Sequence, residues 1–564
     1  MSSPYPPSAP RTTRRAPFPI FDEDEPSASQ LPSNHFLAQR PVTPPRPEVS
    51  FTTSDASWED SARPDTSSLA AADFDVSVVT GFMPPEEPVQ TLKGHGHGWD
   101  ELEECLEQVQ AEAALIPGGG VGKLSDSWRN SVRELPVASL EPLNTLPLLR
   151  RAHTLLAHLT HFYMHSTFPS QSVVPAPLAI PLVQVSERVG LPPILTYADT
   201  VLWTWKMTDP AAGLRADNVE ITTTFTSTPS ERAFFLLSLF CELHGPSILR
   251  FMSATLDEAF FADAVALDRI ASYLSSIALL IDELTALMAG ATRGPFGPDG
   301  RELIKPEAFY WEIRPWFNGG KWTYEGVGLD GEDKELEWQG PSAGQSSLVH
   351  ALDLFLGVDH SPRGHGDGAA VIPSLFVERA DTPTAAAASA AAAAKVARPS
   401  PPAAASLHKS PSDATFMQRM MHYMPGHHRA FLSHLSSLHL PNPAAPSAPV
   451  LPSLRTLAQR HPAALQEAYD VAVLAMKRFR DTHIRLAAHF IVAQARREPP
   501  RESPHWAGWE ARRVQKEREE EEKRARGEEV ARQAIAGTGG TDLVSFLKRC
   551  RDRTAEAFLE QPQA

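Results

Sequence analysis

Three observations predict an all-α fold. Apolar residues recur at spacings of three and four through long stretches of the chain, the pattern of one helix face turned to a core. Strand-like alternation is scarce, its best instance being Asn218 to Phe225, which disfavours doubly wound and all-β architectures. Cys105, Cys241 and Cys550 lie far apart without C-x-x-C spacing, so neither a disulfide framework nor a cysteine zinc site is expected to replace a packed core. Of 564 residues 42% are hydrophobic, enough for one large domain or several ordinary ones.

Taken in order, residues 1 to 70 are rich in Pro, Ser and Asp and are expected to form a disordered tail, because such a composition buries too little to offset its ordering entropy. Helices are expected over 98–115, 145–166, 231–244, 257–289, 345–357, 414–438, 463–497 and 541–559. Segment 463–497 contains neither Pro nor Gly and could run as one helix or two abutting ones. The chain holds 52 prolines, which predicts linkers between these elements. Two stretches interrupt the pattern. Residues 361–413 carry the alanine-rich run Ala385 to Ala394 and read as a low-complexity insertion; residues 498–535 carry the charge-dense Arg512 to Arg532 and read as a charged insertion or solvated helix. No internal repeat is evident.

The charge balance of 52 Lys and Arg against 68 Asp and Glu, a net −16, argues against a protein that binds nucleic acid or anionic membrane by neutralising phosphates. The first residues show no signal-peptide run, no long uncharged apolar span stands out, and Gln-Pro-Gln-Ala is not a peroxisomal address, so a cytoplasmic location is expected. A mitochondrial presequence is the alternative: Arg11, Arg14 and Arg15 sit among Ser and Thr, but prolines spoil the amphipathic helix.

Four motifs look chemical. Pro117 to Lys123 suggests a phosphate loop, yet Pro117 stands where glycine is required and Leu124 replaces the metal-binding hydroxyl, so an interhelical loop is expected. Gly340-Pro341-Ser342-Ala343-Gly344 matches G-x-S-x-G, with Asp353 and His360 following in α/β-hydrolase order, but a nucleophile elbow needs a buried strand before it and Lys334 to Gln339 is polar. His153, His158, His161 and His165 share one expected helix; with leucines interleaved and no carboxylate or cysteine nearby, core and surface positions are favoured over a metal site. His483 differs. Steps of three and four from it reach Met476, Phe479, Leu486, Ala487 and Phe490, so an imidazole with Arg480 one turn before it centres an apolar stripe. It is either a satisfied core histidine or an axial ligand to a large apolar cofactor, of which haem is the commonest on helices.

Several segments together resemble the indoleamine 2,3-dioxygenase family, especially its fungal members. They are Leu191 to Asp199, Glu231 to Leu239, Phe309 to Pro315, Ser342 to Ser347, Tyr423 to Gly426 with His428 and Arg429, Arg480 to His483, and Gly537 to Asp542, matching in type and order from about Phe74 to Phe558. The resemblance implies an all-α haem-binding fold, with a small helical domain over 71–205 above a large haem-binding catalytic domain over 206–564. It makes His483 the proximal ligand of haem b iron, with Asp353 and Arg480 bracing the ligand helix at the haem edge.

On the distal side the resemblance carries over Tyr197, Phe234, Ser238, Phe309, Tyr310, Arg314, Ser342 and Ala343 as substrate-pocket residues, Phe309, Arg314 and Ser238 being nearest the reaction. A helical turn would direct Phe309 and Arg314 into one pocket, an aromatic wall for an indole and a guanidinium for a carboxylate. Gly537 to Thr541 would close over the substrate, with Thr538 near its amino-acid end. One departure is Pro341, where family members often have a second glycine. The implied reaction is insertion of O2 across the C2=C3 bond of L-tryptophan's indole, giving N-formylkynurenine, the first step of the kynurenine route towards NAD. The implied partners are L-tryptophan, O2 and a cellular reductant, with no nucleic acid, no membrane and a monomeric enzyme. A haem protein that carries or senses O2 without efficient turnover is the alternative function, and a helical interaction protein that has lost haem is a third reading.

Overall fold

A computed structural model describes residues 67–77, 79–96, 98–116, 120–167, 170–290, 304–328, 331–361, 415–441, 450–501 and 543–559, with 506, 510, 513, 514 and 518. Residues 1–66 of the expected tail and most of both expected insertions lie outside these residues, as does Gly537 to Thr541; of the tail's last four residues Leu69 is buried in the core, so the packed chain begins before residue 71. The described part is mainly helical, as the periodicity predicts. Helices α1 (Trp99–Leu115), α2 (Asp126–Glu134), α3 (Leu146–Met164) and α4 (Ala176–Val189) come first. They are followed by α5 (Pro229–Leu243), α6 (Gly245–Phe261) and α7 (Ala264–Gly290). The chain continues through α8 (Ser347–Leu356), α9 (Phe416–Met421), α10 (Gly426–Ser437) and α11 (Leu454–Arg460) to α12 (Pro462–Ala487) and α13 (Leu543–Ala555).

The ends obey local chemistry. Thr228 caps α5 by accepting the Glu231 N–H, and Thr415 with Gln418 closes a capping box on α9. The expected helix over 257–289 is instead divided. Ala262 adopts φ 50° and its N–H returns to the Glu258 carbonyl, so α6 stops and α7 begins just after Asp263. No glycine marks that break, which is why periodicity alone runs through it. The expected helix over 414–438 likewise divides into α9 and α10 ahead of Gly426.

Short strands are present, most of them unmarked by alternation. β4 (Gly320–Tyr324) and β5 (Lys334–Trp338) pair antiparallel, and β1 (Val173–Val174) adds in parallel to β4. β2 (Trp205–Met207) pairs with β3 (Val219–Ile221), the latter inside the segment where alternation was best. A strand therefore does precede Ser342, but it is half of a hairpin with a mostly exposed outer face rather than the buried parallel strand of a hydrolase elbow.

Two hydrophobic clusters form the core. The first runs from Met83 through α1, α3, α4 and α5 to Phe309, Phe490 and Phe546, and thus takes residues from both sides of position 205. The second packs α6, α7, α8, α10 and α12. Pro229–Phe261 and Ala264–Gly290 are long and apolar enough to cross a membrane by length and composition, and both bury apolar stripes in these clusters. The three α3 histidines and the C-cap His165 are core residues: each is buried, and their rings meet Asp199 Oδ1 at 2.7 Å (His153), the Thr154 carbonyl at 2.7 Å (His158), the Trp316 carbonyl at 2.6 Å (His161) and the Asn318 carbonyl at 2.8 Å (His165). Among the described residues no group of three metal-ligating side chains assembles. In the phosphate-loop look-alike, Gly122 and Leu124 donate their N–H groups to the carbonyls of His165 and Ser166, tying the loop to the end of α3.

Candidate active site

A cavity of about 290 Å³ opens between the clusters and takes wall residues from both. Helix α12 supplies one side. Phe479, Arg480, His483, Leu486 and Ala487 line it, continued by Phe490, while Met476 faces the core, so the apolar stripe read around His483 is the face turned to the cavity. Among the described residues the His483 ring has no hydrogen-bond partner, and burial, with Arg480 nearby, pushes its pKa down to about 4. A neutral imidazole without a partner, set in an apolar wall, has the donor chemistry and surroundings that suit a haem iron.

Arg480 turns from the same face to a buried pair. Its guanidinium donates to both oxygens of Asp353 on α8, at 2.8 and 2.5 Å, and to the hydroxyl of Thr554 on α13. His360 meets Asp353 Oδ2 at 2.9 Å. Burial alone would raise the Asp353 carboxyl, but Arg480 and His360 outweigh it and hold the group below the ordinary carboxylate range. Three elements are thereby joined behind His483. Sequence reading placed Asp353 and Arg480 together; His360 was visible only as a member of the rejected hydrolase series, and Thr554 carried no signal.

Much of the remaining lining is aromatic. Phe234 on α5 and Phe309 stand with ring centroids 4.8 Å apart, and Phe309 meets Phe490 edge-on at 5.8 Å. Phe309 and Arg314 both line the cavity. An α-helix would set residues five apart roughly 140° away from each other. Here residues Phe309–Ile313 form a π-turn in which the Arg314 N–H returns to the Phe309 carbonyl, and this wider turn brings both side chains to one wall. Tyr310 is not a wall residue: its ring lies beside Trp311 and under the Arg314 guanidinium, 5.5 Å from centroid to Cζ. Burial lowers the Arg314 pKa, with Tyr310 opposing.

Tyr197, Ser238, Ser342 and Ala343 complete the wall. Ser238 Oγ points back to the Phe234 carbonyl at 3.4 Å, and Ser342 Oγ accepts the Gly344 N–H at 3.2 Å. The loop carrying Ser342 is held from both sides. Tyr423 accepts the Gln339 N–H at 2.9 Å, and Gln345 donates to the Gly340 carbonyl at 3.0 Å while accepting the Tyr197 N–H at 2.8 Å. A Cβ on Gly340 would fall 1.7 Å from the Phe317 carbonyl oxygen, so glycine is obligatory at 340; the departure at Pro341 is accommodated on the wall. Thr538 lies outside the described residues. Gln345 and Glu242, which binds Tyr197, were missed, since a polar residue within an apolar helix or a small-residue loop shows no period.

Known proteins share this pattern along nearly the whole chain. The sequence model of the indoleamine 2,3-dioxygenase family matches residues 70–557. The chain belongs to the indoleamine 2,3-dioxygenase family. It is therefore a haem-dependent dioxygenase, with haem b and its iron as cofactor. Relatives include the indoleamine 2,3-dioxygenase acdA of Aspergillus candidus, 26% identical over 88% of this chain and 100% of its own. The indoleamine 2,3-dioxygenase of Saccharomyces cerevisiae is 28% identical over 84% and 90%. The 6-hydroxytryptophan 2,3-dioxygenase fscD of Fusarium equiseti is 25% identical over 86% and 97%.

Proposed function

We propose that this enzyme inserts both atoms of O2 across the indole C2=C3 bond of L-tryptophan and yields N-formylkynurenine, opening the kynurenine route towards NAD. The observation that carries the reading is that Phe309, Arg314, Tyr197 and Phe234 line the same cavity as His483. His483 would hold the iron, with Arg480 and Asp353 fixing α12 at that point. Haem supplies the oxygen chemistry when bound. The protein's part is position and dryness: Phe234 and Phe309 flank the indole, Arg314 takes the carboxylate as a bidentate partner, and Tyr197, Ser342 and Ala343 close the remaining side. Ser238 sits beside Phe234, its hydroxyl directed to its own helix, so no proton-accepting role is assigned to it. Thr538 would meet the amino-acid end from its loop.

The enzyme would act as a cytoplasmic monomer fed by a cellular reductant, and its net charge of −16 supports neither a nucleic-acid nor an anionic-membrane partner. A relative named for 6-hydroxytryptophan makes ring-substituted tryptophans the second reading. Anaerobic reduction, addition of L-tryptophan or 6-hydroxytryptophan, then O2, with spectral and product detection, decides. N-formylkynurenine supports the first reading; product from 6-hydroxytryptophan alone selects the second; reversible O2 binding without product selects the carrier or sensor.

A further inference from the structure

Glu242 on α5 is 1% exposed and comes directly after Cys241, a wall residue of the cavity. Its Oε1 accepts the Tyr197 hydroxyl at 2.9 Å and the Ser346 hydroxyl at 2.8 Å, and Tyr197 and Ser346 both line the cavity. Its Oε2 is buried without a hydrogen-bond partner among the described residues. Burial raises this carboxyl to about 7 against the two hydrogen bonds, which is the cost of placing an acid where a leucine would pack.

Two details say what the acid accomplishes. Ser346 occupies the N-cap position of α8, where a serine normally caps its helix, yet its side chain makes no cap and reaches Glu242. Tyr197 is pinned at both ends, its backbone N–H on Gln345 and its hydroxyl on Glu242. The carboxyl thus joins α5, the chain entering the Ala198–Leu202 π-turn, and the Ser342 loop, three segments that meet at the cavity.

We propose that Glu242 is a positioning residue for the substrate, holding the Tyr197 ring and Ser346 as one rigid face of the cavity against which the indole amino acid docks. This rests on the tryptophan reading of the cavity. Both hydroxyls donate to the same oxygen, so each O–H is turned away from the bound molecule. A loose tyrosine would have to be ordered at every binding event, and that entropy would appear as weaker affinity.

The test compares E242L, E242Q and Tyr197→Phe in the haem-loaded enzyme, reading L-tryptophan affinity by spectral titration and kcat separately. E242L is expected to retain haem and its CO spectrum and to raise the L-tryptophan dissociation constant about tenfold, with kcat within about threefold, because two buried hydroxyls lose their acceptor. E242Q keeps an oxygen acceptor and should stay within about threefold of wild type. Tyr197→Phe should also weaken binding, and E242L added to it should cost less than E242L alone, since both act through one hydrogen bond. Wild-type affinity in E242L, equal damage in E242Q and E242L, or full additivity with Tyr197→Phe overturns the proposal. If E242L loses haem, Tyr197→Phe with and without E242Q carries the comparison, and unchanged affinity in Tyr197→Phe overturns it. A wild type that does not bind L-tryptophan overturns the functional reading as well.

Discussion

Arg314 and His483 carry the two tasks proposed for the cavity, and each can be tested by its own loss. A guanidinium half-buried among aromatic rings is costly, and in the proposed complex a carboxylate arriving with substrate would offset that cost. Arg314→Ala is expected to bind haem and CO normally and to lose at least about 2 kcal/mol in kcat/KM with L-tryptophan, while Arg314→Lys recovers only part because an ammonium lacks the planar fork. Tryptamine, which has no carboxylate, should be a poor substrate that neither change affects much. Parental kcat/KM in Arg314→Ala would remove the residue from the pocket. His483→Ala should purify with little haem yet much of its helical content, read by the Soret band and far-ultraviolet circular dichroism, because the axial bond is lost while the α12 packing remains. A native Soret band there would mean another residue holds the iron.

At the scale of elements, the cavity is bordered by irregular turns. Among the described residues π-turns occur at Ala198–Leu202, Phe309–Ile313 and Ala488–Val492, beside wall residues Tyr197, Phe309 with Arg314, and Phe490 with Ile491. Each adds a residue to the winding and rotates the residues after it relative to an α-helix. Inserting one alanine after Glu312 moves Arg314 one further residue along the winding and should swing it away from Phe309 by roughly 100°. The expected outcome is a folded, CO-binding protein with kcat/KM for L-tryptophan down at least about tenfold, near the level of Arg314→Ala. Unchanged kcat/KM would show that the turn does not set the Arg314 position. Deleting residues 370–405 should alter the rate little, since that sequence has no apolar periodicity with which to join a core; loss of haem in the deletion would contradict this.

The whole molecule carries a pH signature in its core. Burial lowers His158 and His165 to about 4 and His161 to about 3, so all three are neutral when folded and protonate readily when unfolded. The unfolded chain binds more protons below about 6.5, so their contribution is full above that pH and is lost as pH falls towards the folded values. Glu231, Glu242 and Glu312 are raised by burial and titrate in the opposite sense, but His350, His428 and His483 are lowered as well and add to the imidazole side. The urea midpoint should therefore fall between pH 7.5 and 5. His158→Phe should flatten that slope, because His158 stacks on Phe225 with centroids 5.1 Å apart and its Nε2 has no hydrogen-bond partner among the described residues. A midpoint that rose as pH fell would show that these histidines are not neutral in the fold.

By itself the sequence determined the all-α class, the positions of α1, α3, α5 and the long α12, and the apolar stripe with His483 at its centre. These are local facts, written as a period of three and four, and a stripe on one helix must face whatever is buried beside it. The segments Phe309 to Pro315 and Ser342 to Ser347 were legible as a matching order of residue types, and the family is read from them. Only the tertiary structure decided how they are used. The α6–α7 break rests on an alanine in the left-handed region, and the β4–β5 hairpin on pairing between residues far apart in pattern. The meeting of Phe309 and Arg314 depends on a π-turn, whose extra residue has no sequence period of its own. The Asp353–Arg480–Thr554 and Tyr197–Glu242–Ser346 contacts join side chains up to 127 positions apart. Hydrogen bonds of that kind are set by where helices cross, and no window of neighbouring residues encodes that crossing.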